Sequence, residues 1–293
     1  MGLQIKEMLN VAENILMEAG VEDAKIDAET LLMYEIRYDR KKLFMNWTRE
    51  IEDGYCEGFF DLIQKRAMGT PAQYLTNEQI FMGYSFYVDE RVLIPRMETE
   101  VLVEQVIRYV QESGKKGLKA LDLCTGSGVI AICLAKSDST LRITASDVDA
   151  SALDVAAENA SRMGVSHQIK FMSSDLFGSF KTGFSRPKFD LIVANPPYIP
   201  SSVVGTLQRE IVEHEPLKAL DGGADGLDFY KRIAADAPIF MQPGGELFLE
   251  IGYDQGPSVT QILQDSDMYS NIRAARDLSG DFRVVSATVG APG

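Results

Sequence analysis

The sequence predicts an α/β fold, a mostly parallel sheet with helices on both faces, preceded by a small helical domain. Three observations carry this prediction. Residues 3 to about 75 keep apolar positions at helical spacing. From about residue 95 onward, apolar runs alternate with helical patterns, the signature of buried strands feeding crossover helices. Between them, QIFMGYSFYVDERVLI (79–94) is rich in aromatic and β-branched residues with turn-prone Gly83 and Asp89, which reads as a β-hairpin linker.

In chain order, Ile5, Met8, Leu9, Ala12, Ile15 and Leu16 make one face of a first helix that Gly20 can end. Asp27 is expected to cap a second helix containing Ala28, Leu31, Leu32 and Ile36. Glu52 to Ala67, with Phe59, Phe60, Leu62 and Ile63, forms another before Gly69-Thr70-Pro71. Strands are expected at Lys119–Cys124, Leu141–Asp147, Gln168–Ser173, Phe189–Ala194, Gly245–Ile251, Asn271–Asp277 and Phe282–Thr288. The expected division is a helical domain at 1–78, the hairpin at 79–94 and the α/β domain at 95–293. No repeat of 20 to 50 residues and no low-complexity tract is evident.

Composition narrows the function classes. The 43 acidic and 29 basic residues give a net charge of -14, which disfavours broad nucleic-acid binding and suits a basic protein partner. Cys56, Cys124 and Cys133 are odd in number and lack CxxC spacing, so neither a disulfide framework nor a zinc site is expected and a reducing cytoplasm is the default. His167 and His214 are the whole imidazole complement, and no metal is expected. The N-terminal stretch carries Lys6, Glu7, Glu13 and Glu18, so it is an amphipathic helix rather than a secretory segment, and Lys6 occupies the position where acylation at Gly2 requires Ser or Thr. No run of 18 apolar residues exists, so no membrane association is expected.

Two motifs carry chemistry. In ALDLCTGSGVIA (120–131), a strand containing Asp122 ends at Cys124, and Thr125-Gly126-Ser127-Gly128 turns into a helix. Glycines let a ligand approach the backbone, and the helix start offers free N–H donors. Asp147 ends the next strand about 20 residues on, where an acid can accept from ribose hydroxyls, and Asp175 follows the third strand. Gly126, Gly128 and Ala131 also satisfy the dinucleotide fingerprint, so NAD rivals S-adenosylmethionine on this segment alone. Asp122 favours the latter: it can meet a positive amino group or orient the loop, whereas it would repel a pyrophosphate.

The second motif, FDLIVANPPY (189–198), runs a fourth strand into Asn195-Pro196-Pro197-Tyr198. The prolines fix φ, remove two donors and force the preceding residues extended, which makes a stiff corner with outward acceptors. A plain strand terminator or a cis-proline turn is the competing reading. Such a corner suits a planar NH2 group. The amide rotation barrier of ~18–20 kcal/mol shows how strongly that nitrogen resists pyramidalisation. The Asn195 side-chain oxygen and the Pro196 carbonyl can take its two hydrogens, and these bonds become charge-assisted as a methyl group arrives. Tyr198 offers an aromatic face.

With these motifs in place, the chain resembles the class I S-adenosylmethionine-dependent methyltransferases, and within them the PrmC/HemK-type enzymes that methylate the N5 of a glutamine in peptide chain release factors. NPPY alone is shared with amino-methylating DNA and RNA enzymes. TPAQYLTNEQIFMGYSFYVDERVLIPRMETEVLVE (70–104), VEHEPLKALDGGADGLDFYKRI (212–233) and GGELFLEIGYDQG (244–256) extend the likeness over nearly the whole chain. The resemblance implies a seven-stranded Rossmann-like methyltransferase sheet. It implies S-adenosyl-L-methionine as cofactor and S-adenosyl-L-homocysteine as product. Cofactor contacts fall at Cys124, Thr125, Gly126, Ser127, Gly128, Asp147, Asp175, Leu176 and Asn195. Substrate contacts fall at Asn195, Pro196, Pro197 and Tyr198, and catalysis at Asn195, Pro196 and Tyr198. The implied partner is a release factor presenting a Gly-Gly-Gln loop, which the helical domain helps to dock. No stable nucleic-acid complex and a monomeric chain are expected. Cys124 stands where the family usually has Gly, and Met97 where it usually has Pro.

Other stretches carry two readings each. Arg96, Glu98 and Thr99 either wall the cofactor site or simply start a helix. Glu215-Pro216 and Asp221-Gly222-Gly223 form either a structural turn or a substrate contact. Glu250 ends an apolar strand near the ligand edge or caps a neighbouring loop. The functions weighed are release factor glutamine N5-methylation, N6-adenine or other amino methylation of DNA or RNA, a non-catalytic cofactor-binding or translation-partner role, and NAD-dependent oxidoreduction, for which no convincing hydride-transfer acid or base is present.

Overall fold

The computed structural model describes residues 3–182 and 186–290, so Gly2 lies outside the described residues. The chain forms two compact units, one of residues 1–78 with Gln208–His214, the other of Gln79–Leu207 and Glu215–Gly293.

The first unit is helical: α1 (Ile5–Glu18), α2 (Ala24–Ile36), α3 (Arg40–Met45), α4 (Asp53–Ala67) and α5 (Ala72–Thr76). The apolar face expected of α1 is buried, with Ile5, Met8, Leu9, Ala12 and Leu16 in the core against Leu31, Leu32, Phe59 and Ile63. Gly20 follows the helix end at φ +80°, a conformation natural to glycine. Asp27 does not cap α2, because the helix begins three residues earlier, at Ala24. Asp27 is buried in its first turn and accepts from Arg66 Nε of α4 at 2.6 Å. The second guanidinium nitrogen of Arg66 pairs with Glu210, so one buried cation fastens the 208–214 segment into this unit.

The second unit opens with the hairpin β1 (Gln79–Phe81) and β2 (Tyr84–Phe86), joined through Met82-Gly83. Then α6 (Thr99–Ser113), β3 (Lys119–Leu123), α7 (Val129–Ser137), β4 (Arg142–Asp147), α8 (Ala150–Arg162), β5 (Ile169–Ser173), α9 (Gly178–Lys181) and β6 (Phe189–Ala194) follow. Next come α10 (Ser201–Val204), α11 (Arg209–His214) of the first unit, α12 (Asp228–Phe240), β7 (Met241–Glu250), α13 (Gly256–Asp265), β8 (Tyr269–Arg276) and β9 (Phe282–Val289). The sheet runs β5-β4-β3-β6-β7-β9-β8, with β3 to β7 parallel and β9 antiparallel to both its neighbours. β7 begins four residues before the expected Gly245, since Met241 pairs with Phe189 and the chain bulges through Pro243-Gly244 before Glu246 pairs with Leu191.

Side chains alternate between two core layers, as a sheet covered on both faces requires. Leu191 and Val193 of β6 enter one layer with α6 and α7, while Ile192 and Ala194 enter the other with α12 and α13. The chain reverses its direction of strand placement between β3 and β6, so the loops after these two strands flank a crevice at the carboxyl edge, where such sheets bind ligands. No helix among the described residues is long and apolar enough to cross a membrane.

Candidate active site

A cleft of about 930 Å³ lies at that edge. Its floor is the loop between β3 and α7. Thr125 N donates to Ser146 O (3.0 Å), and Gly128 N donates back to Thr125 O (2.8 Å). Gly126 and Gly128 have φ of +53° and +83°, and a Cβ at 128 would lie 2.9 Å from the Ala156 Cβ on α8, so glycine is needed there for packing as well as for conformation. Cys124 adopts φ +58° and Leu176 φ +45°. Both line the cleft, and both occupy a region that an L side chain enters at a cost of about 1–2 kcal/mol. Two of the seven non-glycine residues with positive φ among the described residues thus lie at the cleft.

Alternation along β3 turns Asp122 to the α7 side of the sheet. Its Oδ2 accepts from Thr125 Oγ1 (2.6 Å) and Ala131 N (3.2 Å), locking the glycine loop from beneath. Asp122 is buried and not part of the cleft wall, and its Oδ1 has no hydrogen-bond partner. Burial pushes its carboxyl up to about 7, with Asp147 adding repulsion. Asp147 does reach the wall. It accepts from Gly126 N (2.9 Å) and Asp149 N (3.0 Å), which counter the upward push of burial on its own carboxyl. Asp175 is at the rim, exposed, and pairs with Arg232 at 2.7 Å. Thr125, Gly126, Ser127, Asp147, Asp175 and Leu176 all line the cleft; Gly128 is not part of its wall and stands as the N-cap residue of α7.

The corner after β6 approaches from the other side. Asn195 and Pro197 line the cleft, whereas Pro196 is buried and Tyr198 half-buried behind it. No cis peptide occurs among the described residues. The corner is held in place through its backbone. Ile199 N donates to Leu220 O (2.9 Å), Gly222 N donates to Ile199 O (2.8 Å), and Gln255 Nε2 donates to Tyr198 O (2.9 Å). Gly222 comes so close that a Cβ there would sit 2.7 Å from Tyr198 Cα, so the Asp221-Gly222-Gly223 stretch is the clamp on the corner. Burial, with the Glu250 charge nearby, pushes the Tyr198 phenol up to about 12. Asn195 Nδ2 donates to Thr99 Oγ1 at 3.1 Å.

Arg96 and Thr99 line the cleft, whereas Glu98 does not and stands as the residue before α6, which Thr99 begins, so the wall reading applies to Arg96 and Thr99 only. Glu215 is buried and accepts from Ile94 N (3.2 Å) and Arg96 (2.5 Å), tying the loop after NPPY to the segment before α6, while Pro216 joins the wall. Sequence reasoning missed Arg91, Val148, Lys218 and Phe229, which also line the cleft. It missed buried Asn159 as well, which holds Tyr87 N and O and Ser127 O together. Phe229 lies inside the quoted stretch 212–233, so its aromatic type beside Asp228 was an available signal; Asn159 sits in an ordinary helical pattern and carried none.

The chain matches the PrmC N-terminal domain over residues 7–76 and the methyltransferase small domain over 98–224. It is 36% identical over 288 residues to a release factor glutamine methyltransferase of Clostridium acetobutylicum, covering 98% of this chain and 99% of that protein. It is 38% identical to one of Chlorobaculum tepidum, covering 93% of each. Among solved structures, a methyltransferase from Pyrococcus furiosus superposes with a TM-score of 0.50 at 18% identity, over 72% of this chain and 91% of that one, a likeness of fold.

Proposed function

This chain belongs to the release factor glutamine methyltransferase family, and from that premise we propose that it transfers a methyl group from S-adenosyl-L-methionine to the N5 amide nitrogen of the glutamine in a release factor Gly-Gly-Gln loop. When bound, the cofactor supplies an electrophilic methyl on a sulfonium. The donor set fits such a molecule. The glycine loop leaves backbone bare at Gly126, where a Cβ would meet nothing within 4 Å, so a ligand can lie against it. Asp147 and Asp175 suit hydroxyls and a cation, and Ile130, Val148, Leu176 and Phe229 offer apolar walls for a flat ring. We assign cofactor contacts to Thr125, Gly126, Ser127, Asp147, Asp175, Leu176 and Asn195, with Asp122 and Gly128 shaping the loop.

The observation that carries the reading is the Asn195 corner standing on the same cleft as the glycine loop. In the proposed reaction the Asn195 Oδ1 and the Pro196 carbonyl accept the two amide hydrogens. They hold the nitrogen lone pair toward the incoming carbon, and they strengthen as the nitrogen becomes positive. The proton becomes acidic only after transfer, so no base is required beforehand. Tyr198 packs beside the amide plane. Positioning of this kind can supply up to ~7–11 kcal/mol of the barrier reduction. Exposed Met17, Ile26, Met45 and Met68 on the helical unit support its role in docking the release factor.

The test is methyl transfer from labelled cofactor to release factor, to a release factor with the Gly-Gly-Gln glutamine replaced by alanine, and to oligonucleotides. Label is expected only in the first, and Asn195→Ala is expected to abolish it while leaving the fold intact. Label in oligonucleotides alone would transfer the assignment to nucleic-acid amino methylation.

A further inference from the structure

The strand register brings a buried carboxylate to the corner, and the mechanism above does not use it. Val193 pairs with Phe248 and Ala194 with Leu249, so the next rung sets Asn195 opposite Glu250. Alternation turns both toward the α6 side of the sheet, the side that Val193 and Phe248 enter. Thr99, the first residue of α6, lies there too. Glu250 is 2% exposed. Thr99 and the Asn195 side chain both favour the charged form of its carboxyl, and its Oε2 has no hydrogen-bond partner. A buried, half-satisfied carboxylate costs stability, which calls for a compensating role.

That role follows from the symmetry of an asparagine amide. Its oxygen and nitrogen ends are nearly the same shape, so packing does not choose between them and only hydrogen-bond partners do. An ionised carboxylate only accepts. Facing one, Thr99 must donate its hydroxyl proton to Glu250, and its lone pair is then left to accept from Asn195 Nδ2, the 3.1 Å bond observed. The Oδ1 end is thereby directed away from Thr99. If Glu250 were protonated it could donate to Thr99, Thr99 could donate to Asn195, and the amide could turn over. Its NH2 would then face the NH2 of the substrate, donor against donor.

We propose that Glu250 is a positioning residue which, through Thr99, sets the Asn195 amide so that its oxygen is the end offered to the substrate nitrogen. The proposal rests on the amide-methylation reading for its kinetic consequence, but not for the orientation itself. The other charged and titratable groups that act on this carboxyl are Arg283 of β9, which favours its charge, and Glu98 ahead of α6, which opposes it; Tyr198 and Tyr230 feel its field in turn. Burial is the largest influence and brings Glu250 up to about 7, so the switch between accept-only and donor-capable forms falls near neutrality.

The experiment uses the full-length protein. First, the Asn195 side-chain 1H–15N signals, assigned by loss in Asn195→Ala, are followed from pH 5.5 to 8.5 in wild type and in Glu250→Gln. They should titrate near pH 7 in wild type and stay still in the variant. Second, kcat and KM for release factor are measured over the same range. Wild-type kcat should fall as pH drops through about 7, and Glu250→Gln should keep an accepting oxygen for Thr99 and lose the step. Thr99→Val should lower kcat roughly tenfold, the worth of one or two hydrogen bonds, with KM for release factor unchanged. Wild-type kcat in Thr99→Val, or Asn195 signals that ignore Glu250, would overturn the proposal. If the Asn195 signals titrate with Glu250 but no release factor is methylated, the substrate reading fails and the positioning role stands.

Discussion

Gly222→Ala tests how tightly the NPPY corner must be held. An alanine Cβ at 222 would fall 2.7 Å from Tyr198 Cα, 2.8 Å from Pro197 O and 2.9 Å from Tyr198 C. All three are backbone atoms, so no side chain can swing aside. Ordinary contact begins at 3.4 Å, so the corner and the 222 segment must separate by 3.4 minus 2.7, or 0.7 Å. Two short bonds resist this, Ile199 N to Leu220 O at 2.9 Å and Gly222 N to Ile199 O at 2.8 Å. Overpacking of this kind costs about 1–3 kcal/mol of stability. Misplacing a positioning group by nearly an ångström costs up to about a hundredfold in rate. We therefore expect a 10- to 100-fold fall in single-turnover methyl transfer to release factor. Cofactor affinity by calorimetry should fall far less than the rate, because the glycine loop is untouched. Gly205→Ala is the matched control, since a Cβ there meets nothing within 4 Å and its φ is -72°. If Gly222→Ala turns over like wild type and like Gly205→Ala, the corner tolerates displacement and the account of catalysis by rigid positioning is wrong.

Three further outcomes follow from the same geometry. Cys124→Gly removes a side chain from φ +58°; relief of about 1–2 kcal/mol, less the 0.5–1 kcal/mol that glycine loses in chain entropy, should leave a small net gain in denaturant unfolding, and a clear loss would show that the thiol packing outweighs the strain. Asp122 is held at about 7 against an ordinary 3.8, so the folded state binds its proton more tightly than the unfolded state does; the resulting stability is complete below pH 3.8 and disappears as pH rises through 7. Asp122→Asn keeps an acceptor for Thr125 and Ala131 and should flatten the stability profile between pH 4 and 7, and an unchanged slope would reject the assignment. Arg66→Ala leaves Asp27 and Glu210 buried or half-buried without their cation and should destabilise the helical unit by about 3–5 kcal/mol in urea, whereas a loss below 1 kcal/mol would mean that water replaces the guanidinium.

Local chemistry made much of the fold readable. Each expected strand is present within a few residues; for the five parallel strands β3 to β7 the reason is that a buried parallel strand is an apolar run bounded by turn residues, a signal that lies entirely within the segment. Gly126, Gly128 and the NPPY prolines could be read for the same reason: their meaning is a backbone conformation, which a residue carries with it. Asp27 was misread as a cap because a carboxylate near a helix start looks the same whether it faces its own backbone or an arginine 39 positions away.

What the sequence by itself determined is therefore the set of elements and the residues with special backbones. The partners were decided only in three dimensions. The strand order set β3 beside β6 and so put two distant motifs on one cleft; the β6–β7 register put Glu250 across from Asn195; Glu215 met Arg96 across 119 positions; and residues 208–214 joined the helical unit. The physical reason is that alternation along a strand reports which face a side chain takes, but not which strand lies next to it. That choice is made by the packing of the whole sheet.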